Sequence, residues 1–397
     1  MRNQVVILGV PIDILDRVET LDRLEQLIQN GRSTGNTHQV ATINVDFITN
    51  ALNDPLQLAI LRSTSLAMVD GMPVVWGARI LGAHVKERVA GVDVVIGLAE
   101  RAAQNGYSLY LLGGAEGVAS RAGQILQNRF PGLKIVGVSS PMIRSIEQTD
   151  PNLLEDIKQA KPDILLVAFG NPKQELWIHT FRDQLNVPVM IGVGGSLDFI
   201  SGYKKRAPNW MQKSGLEWFF RLFQEPARLW RRYRNNFTVF IPKLINQWWT
   251  IEVIQRRKCW GETGTVEDCT LYYDMALIQS QNSITNENSQ IFLSAIQRAL
   301  AMTPKIIVNM SHTDYLDSTG YGVLFGSTQR AREAGGELSL VNVSENIWTA
   351  LQMLRLDHFF HIFPDLTSGM IEYVNNKKED WDYEHIPELQ VSSGLFD

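Results

Sequence analysis

The sequence predicts an α/β protein: a mostly parallel sheet covered by helices, followed by a basic, Trp-rich helical appendage and a second, smaller α/β domain. Three observations lead there. Over the first 200 residues, short β-branched runs alternate with segments of helical periodicity, the pattern of strand-helix-strand crossovers. Residues 204–258 hold 13 Lys or Arg against three Glu and five of the ten tryptophans, although the whole chain carries −5. A shorter α/β series then restarts after a Gly-rich junction at 261–264, and 397 residues exceed one ordinary core.

Taken in order, strands are predicted at 5–8, 39–42, 66–69, 108–112, 134–137, 163–168 and 187–193. Helices are predicted at 20–29, 55–62, 73–81, 116–129 and 152–160, some with start signals such as Asp54-Pro55. The second series has strands at 270–273, 305–309, 337–343 and 359–363, and helices at 289–301, 319–334 and 345–354. The resulting division is a core over 1–202, an appendage and linker over 203–261, a second domain over 262–376 and an acidic tail over 377–397.

Composition narrows the function classes. With 45% hydrophobic and 20% charged residues the chain is that of a globular protein, and no apolar run approaches the ~18 residues of a membrane span. Asp13 interrupts the first apolar run, which reads as a strand and not as a leader. Cys259 and Cys269 lack metal-ligand spacing and point to a reduced, cytosolic compartment, and the seven histidines form no HExxH-like cluster, so no metal site is expected. Interleaved Arg and Trp in the appendage suit a surface that meets anionic phosphates and an apolar phase together, more than a nucleic-acid surface. They equally suit a helical hairpin whose Trp residues pack on its own domain.

In parallel sheets ligands bind beyond the carboxyl ends of the strands, and there several polar groups stand. Asp70, followed by Gly71, is placed to act as a general base or, alternatively, to cap the helix starting at Pro73. The turn with Gly113, Gly114 and Gly117 offers backbone N–H groups and a helix start to a phosphate. Lys173 and Gln174 lie where a nucleotide or sugar would reach the sheet edge, or else in a solvated helix start. In the second domain, Asp317 or Ser318 stands at the mouth of an apolar helix, where simple N-capping is one reading.

Thr42-x-Asn44-x-Asp46, Asp70-Gly71-Met72-Pro73, Arg88-Val89-x-Gly91-x-Asp93, Gly170-x-Pro172-Lys173-Gln174-Glu175, Gly192-Val193-Gly194, Arg206-Ala207-Pro208 and Gly215-Leu216-Glu217-Trp218 recur in order over about residues 3–240. Together they resemble the WecG/TagA/CpsF glycosyltransferases, family 26. The resemblance implies an inverting, metal-independent transferase without cofactor that moves N-acetylmannosamine or a related sugar from a UDP-sugar onto a polyprenyl-diphosphate-linked acceptor in cell-surface polysaccharide synthesis. It implies Asp70 as base, Thr42 and Asn44 contacting donor or sugar, Arg88 and Gln174 lining the site, and an Arg-rich appendage completing it. The one DxD motif, Asp380-Trp381-Asp382, lies in the acidic tail, so arginine is expected to stabilise the departing diphosphate. Arg206, Arg221, Arg228, Arg231 and Arg232 are the candidates.

Residues 266–365, with Asp317-Ser318-Thr319-Gly320 between a strand and an apolar helix, resemble STAS domains of the anti-sigma-factor-antagonist type. That resemblance implies phosphorylation at Ser318 and a kinase or other STAS-binding partner. The expectation is therefore a cytoplasmic enzyme, peripheral on the inner face of the cell membrane and without nucleic-acid partner. The alternative is a UDP-sugar-sensing signalling protein that acts by STAS partner exchange.

Overall fold

The computed structural model describes residues 4–143, 145–213, 217–249, 270–272, 275–366 and 368–370. A hairpin comes first: β1 (Gln4–Ile7) lies antiparallel to β2 (Val10–Asp13) in a two-stranded sheet of its own. Its turn residues Leu8 and Gly9 both have positive φ, as a two-residue hairpin loop requires. The sequence places 5–8 in the parallel sheet and has no second strand. A four-residue run containing Pro11 carries little strand signal.

The main sheet has six strands, β3 (His38–Ile43), β4 (Leu66–Val69), β5 (Ser108–Gly113), β6 (Lys134–Ser139), β7 (Ile164–Ala168) and β8 (Val189–Gly192). They are all parallel, in the order β4-β3-β8-β7-β5-β6. Both faces of the central strands are buried. Leu109, Leu111, Ile164 and Leu166 meet the helices Arg17–Thr34, Gly91–Asn105 and Val118–Arg129 on one side, while Tyr110, Leu112, Leu165 and Val167 pack with Trp177 and Ile178 on the other. Helices Val45–Asn53 and Gly91–Asn105 are additions to the sequence reading. The second starts at a glycine after Ala90, with no side-chain cap to announce it.

In the second domain, β9 (Thr270–Tyr272), β10 (Met275–Gln279), β12 (Lys305–Asn309), β14 (Glu337–Val341) and β15 (His361–Phe363) form a sheet in the order β15-β14-β12-β10-β9. Only β9 runs antiparallel to its neighbour, and the short strands β11 (Ser283–Ile284) and β13 (Tyr315–Leu316) pair beside the sheet. Helices Ser289–Met302, Ser318–Glu333 and Glu345–Met353 cover it. The boundary near 262, the Gly-rich junction, both cysteines and the 377–397 tail lie outside the described residues.

Two segments join the domains. Along β1, side chains alternate between two cores: Val5 and Ile7 belong to a core cluster of the first domain, whereas Val6 belongs to the core of the second domain. The appendage consists of helices Asn209–Lys213, Glu217–Gln224 and Pro226–Gln247. Phe240 and Leu244 of the last are buried in the same first-domain core, so close to helix Met72–Ile80 that a Cβ on Gly77 would meet Leu244 Cδ2 at 3.1 Å.

The amino ends of the inner strands β5 and β7 are tied by Asp163. Its carboxylate accepts bidentate bonds from Arg32 at 2.6 and 2.8 Å and the Ser108 backbone N–H at 2.7 Å. Burial pushes this carboxyl up, but the bonds from Arg32 and Ser108 outweigh it and hold it below the ordinary 3.8. Asp163→Asn is expected to cost about 1–3 kcal/mol at neutral pH. Because the folded carboxyl is the stronger acid, the stability it contributes is present above about pH 4 and lost as pH falls through its folded pKa. Chemical denaturation across that window should show wild type and variant converging in acid.

Candidate active site

Beyond the carboxyl ends of β3, β4, β5, β7 and β8 opens a cavity of about 780 Å³, roofed by the appendage. It is large enough for a nucleotide-sized ligand. A smaller one of about 120 Å³ shares Asn44, Asp70, Glu217 and Arg221 with it and extends to Arg88.

Asp70 leaves β4 at the floor, its backbone N–H bonded to the Ile43 carbonyl at 2.8 Å. It caps no helix: helix Met72–Ile80 has Gly71 as N-cap and no side-chain cap bond. The backbone N–H of Gly91, first residue of helix Gly91–Asn105, is directed at its carboxylate, a charge-stabilising placement. A Cβ on Gly91 would stand 3.1 Å from Ser196 Oγ and 3.4 Å from Asp70 Oδ2, so glycine lets the helix start approach the acid. Burial pushes the Asp70 carboxyl up to about 6, against the opposing pull of Arg88 and Arg221.

Those arginines are held by Glu217, which is 3% exposed. Arg88 Nη2 donates to Glu217 Oε2 at 2.6 Å and Arg221 Nη2 to Oε1 at 3.1 Å. Burial disfavours the Glu217 anion, yet Arg221 and Arg88 outweigh it and keep the carboxyl below its usual value. Arg221 also lies over the Phe199 ring at 4.7 Å. Arg206 lines the same cavity but is committed to Asp93, with bidentate bonds of 2.6 and 2.7 Å.

Gln174 organises the opposite wall. Its Oε1 accepts the backbone N–H groups of Gly170 at 3.1 Å and Gly194 at 3.0 Å, so one side chain spans the loops after β7 and β8. Its Nε2 donates to Glu175 Oε1 at 2.7 Å, and Asn171 Nδ2 donates to Glu175 Oε2 at 2.8 Å. Burial pushes Glu175 up to about 7, only partly offset by these donors. Gly192 makes room, since a Cβ there would meet Gln174 Nε2 at 2.5 Å.

The structure therefore brings Thr42, Asn44, Asp70, Gln174, Arg206, Arg221 and Gly114 to one cavity, with Arg88 in the adjoining one. Thr42 donates its hydroxyl to the Gly192 carbonyl at 2.9 Å, and Asn44 Oδ1 caps helix Val45–Asn53 at the Asp46 N–H, 3.0 Å away. Among the phosphate candidates, Gly113 and Gly117 are not in the lining, and Lys173 Nζ is drawn away to the Ile143 carbonyl at 2.7 Å. Arg228, Arg231 and Arg232 belong to helix Pro226–Gln247, but their side chains lie outside the described residues.

Ser318 departs most from the sequence reading. It is 0% exposed, with Gln247 Nε2 donating to its Oγ at 3.1 Å, so a kinase has no access to it in this arrangement. Asp317 is the cap, accepting the Gly320 N–H at 2.7 Å. Sequence reasoning did not single out Ser196, Tyr233 and Asn236, which also line the cavity. Asn236 Nδ2 donates a short hydrogen bond to Asp46 Oδ1 and its Oδ1 accepts from Thr49 at 3.2 Å, joining the appendage to helix Val45–Asn53 after β3. Among the described residues no three His, Cys, Asp or Glu side chains are grouped to hold a metal ion.

A buried acid at the strand ends of a doubly covered parallel sheet, faced by fixed guanidinium groups, is an arrangement suited to group transfer. The chain belongs to the WecG/TagA/CpsF family of glycosyl transferases, which it matches over residues 5–253, and residues 270–369 match the STAS domain. It is 33% identical over 206 residues to an N-acetylglucosaminyldiphosphoundecaprenol N-acetyl-beta-D-mannosaminyltransferase of Bacillus spizizenii, covering 52% of this chain and 76% of that protein. A protein of the same name from Staphylococcus aureus is 31% identical over 241 residues, covering 61% of this chain and 92% of its own. The anti-sigma factor antagonist SpoIIAA in its unphosphorylated form is 17% identical over 28% of this chain and 98% of its own, with a TM-score of 0.24.

The raised Asp70 carboxyl has a sign that can be tested. A folded pKa above the unfolded one means that stability is complete below about pH 4 and falls as pH rises through about 6. Asp70→Asn should therefore raise the melting temperature at pH 7 relative to wild type. Arg221→Ala removes a charge that pulls the Asp70 pKa down. Where Asp70 sets the acidic limb of a transfer rate, that limb should move to higher pH in this variant; a limb that stays in place shows that another group titrates.

Proposed function

We propose that the protein is an inverting transferase that moves an N-acetylhexosamine of the N-acetylmannosamine type from a UDP-sugar to a sugar linked to polyprenyl diphosphate. The observation that carries this reading is Asp70 on the floor of a large cavity beneath Arg221 and beside Arg88. The names of the Bacillus and Staphylococcus relatives support the acceptor and the mannosamine donor. In the reaction, the Asp70 carboxylate takes the proton of the acceptor hydroxyl as its oxygen attacks the anomeric carbon from the face opposite UDP. The bond from that carbon to the phosphate oxygen breaks, and UDP leaves with the electron pair. Arg221, with Arg88 behind it, supplies positive charge toward the departing diphosphate, a role that needs no metal ion or other cofactor. Gln174 and Thr42 act as positioning residues, since both spend hydrogen bonds on fixing the loops after β7 and β8.

A membrane surface fits the outer side of the appendage. Trp218 packs inward against Tyr233 and Phe237, while Trp210, Phe223 and Trp230 are 64, 72 and 60% exposed. Lys204, Gln224 and Leu229 of this segment line the cavity, so a lipid-linked acceptor held at the surface would enter beside them. Among the described residues no helix is long and apolar enough to cross a membrane, and the proposal is peripheral attachment at the cytoplasmic face.

Purified protein with UDP-N-acetylmannosamine and a short-chain lipid-diphosphate acceptor should release UDP, unchanged by EDTA. Asp70→Asn should reduce the rate by about a hundredfold or more. EDTA inhibition reversed by Mg²⁺ would overturn the metal-free part, and a variant within about tenfold of wild type, ~1.4 kcal/mol in barrier, would overturn the base. Replacing Trp210, Phe223 and Trp230 together by Ser should release the protein from anionic vesicles in a flotation assay while leaving its melting temperature close to wild type. Undiminished flotation would place the lipid contact elsewhere.

A further inference from the structure

The face of the STAS domain that bears Ser318 is not free. Gln247, 1% exposed and in the last turn of helix Pro226–Gln247, binds three partners at once: its Nε2 donates to the Val6 carbonyl at 2.8 Å and to Ser318 Oγ at 3.1 Å, and its Oε1 accepts the Leu8 N–H at 2.7 Å. Strand β1 lies against helix Ser318–Glu333 so closely that a Cβ on Gly322 would stand 2.1 Å from the Gln4 carbonyl oxygen. Arg62 closes the far end, donating to the Leu354 and Arg355 carbonyls after helix Glu345–Met353, at 3.0 and 2.9 Å. The same helix Pro226–Gln247 carries Leu229, Tyr233 and Asn236 into the catalytic cavity.

We propose that this face is an intramolecular docking surface whose partner is the transferase unit itself, latched at Gln247 and Ser318, and that docking holds the cavity-lining helix in its working position. Gln4 and Thr319 are fully buried there with side-chain polar atoms that find no hydrogen-bond partner among the described residues, which weakens the closed state relative to a purely apolar seam. The start of helix Ser318–Glu333 favours an anion electrostatically, but Gln247 and β1 occupy the space one would need. Transfer of a phosphoryl group from a nucleoside triphosphate to Ser318 Oγ, with loss of the hydroxyl proton and release of the diphosphate, is therefore open only to the undocked state and would trap it. Modification and transferase activity are in this way coupled through one helix.

The activity half of the proposal rests on the transferase reading above, whereas the docking half does not, so the test has two readouts on the full-length chain. Hydrogen exchange is followed in wild type, Ser318→Ala, Ser318→Asp and Gln247→Glu, with β7 as internal standard for global unfolding. Both acidic variants should accelerate exchange by about tenfold or more in β1 and in the last turns of helix Pro226–Gln247, leaving β7 unchanged, with Ser318→Ala loosened less than either because Gln247 keeps its bonds to Val6 and Leu8. UDP release should fall by about fivefold or more in the same two variants. Wild-type exchange in both acidic variants, or equal loosening in Ser318→Ala, would overturn the latch. Accelerated exchange with undiminished UDP release would overturn the coupling to the cavity. If wild type releases no UDP, the exchange data still decide the docking.

Discussion

On the proposed function, a carboxylate that accepts a proton in a cavity that also receives a leaving diphosphate faces two opposed electrostatic demands. Burial alone raises Asp70, and two unrestrained arginines beside it would lower it. Glu217 reconciles them. By binding both Arg88 and Arg221 it offsets part of their charge at the floor and fixes their direction, leaving a carboxyl near 6 beneath guanidinium groups that an incoming diphosphate can still attract. The start of helix Gly91–Asn105 adds a further fixed positive pole, and glycine at that position is what lets it come close.

This balance is assembled from distant parts of the chain. Asp70 and Arg88 come from the sheet edge, whereas Glu217 and Arg221 arrive on a single amphipathic helix of the appendage. They sit four residues apart and so on one face, the spacing at which a helix pairs opposite charges. The opposite aromatic faces divide the same way: Trp218 and Phe237 lock the two appendage helices together, and Trp210, Phe223 and Trp230 point outward. The hairpin reading of the Trp-rich segment thus describes its inner side, and the exposed aromatic residues stand on the outer one.

The main sheet was legible because its strands are buried on both faces and read as continuous apolar runs bounded by Gly and Asp. Helix Gly91–Asn105 was not, because it begins without a capping side chain, and β2 was not, because it is four residues long and contains proline. Among site residues, the strand-end Asp70, Thr42 and Asn44 could be found from position alone. The division of labour could not. That Gln174 spans two loops, that Arg206 is engaged by Asp93 and that Lys173 turns to a carbonyl are consequences of side-chain geometry that spacing does not encode. Ser318 shows the same limit: the motif marks a helix mouth, but whether that mouth faces solvent depends on Gln247, 71 positions away.

Strand β1 explains why the two domains form one mechanical unit. A strand in an ordinary sheet offers one face to one core, but here Val5 and Ile7 are buried by the transferase and Val6 by the second domain, so a slip of one residue would exchange every side chain between the two. The register is pinned at both ends, by the Gln247 bonds to Val6 and Leu8 and by Asp13 Oδ2, which accepts the Ala67 N–H of β4 at 2.7 Å. Since β4 leads directly into Asp70, the tie at Asp13 and the latch at Gln247 bear on the two strands of chain that end at the acid and at its roof. A catalytic unit separated from the STAS domain would keep its sheet and its Asp70, while exposing Val6 and releasing the end of the helix that carries Asn236 to Asp46. What the second domain adds is a tie at the far end of a roof helix that Phe240, Leu244 and Asn236 already anchor on the first domain.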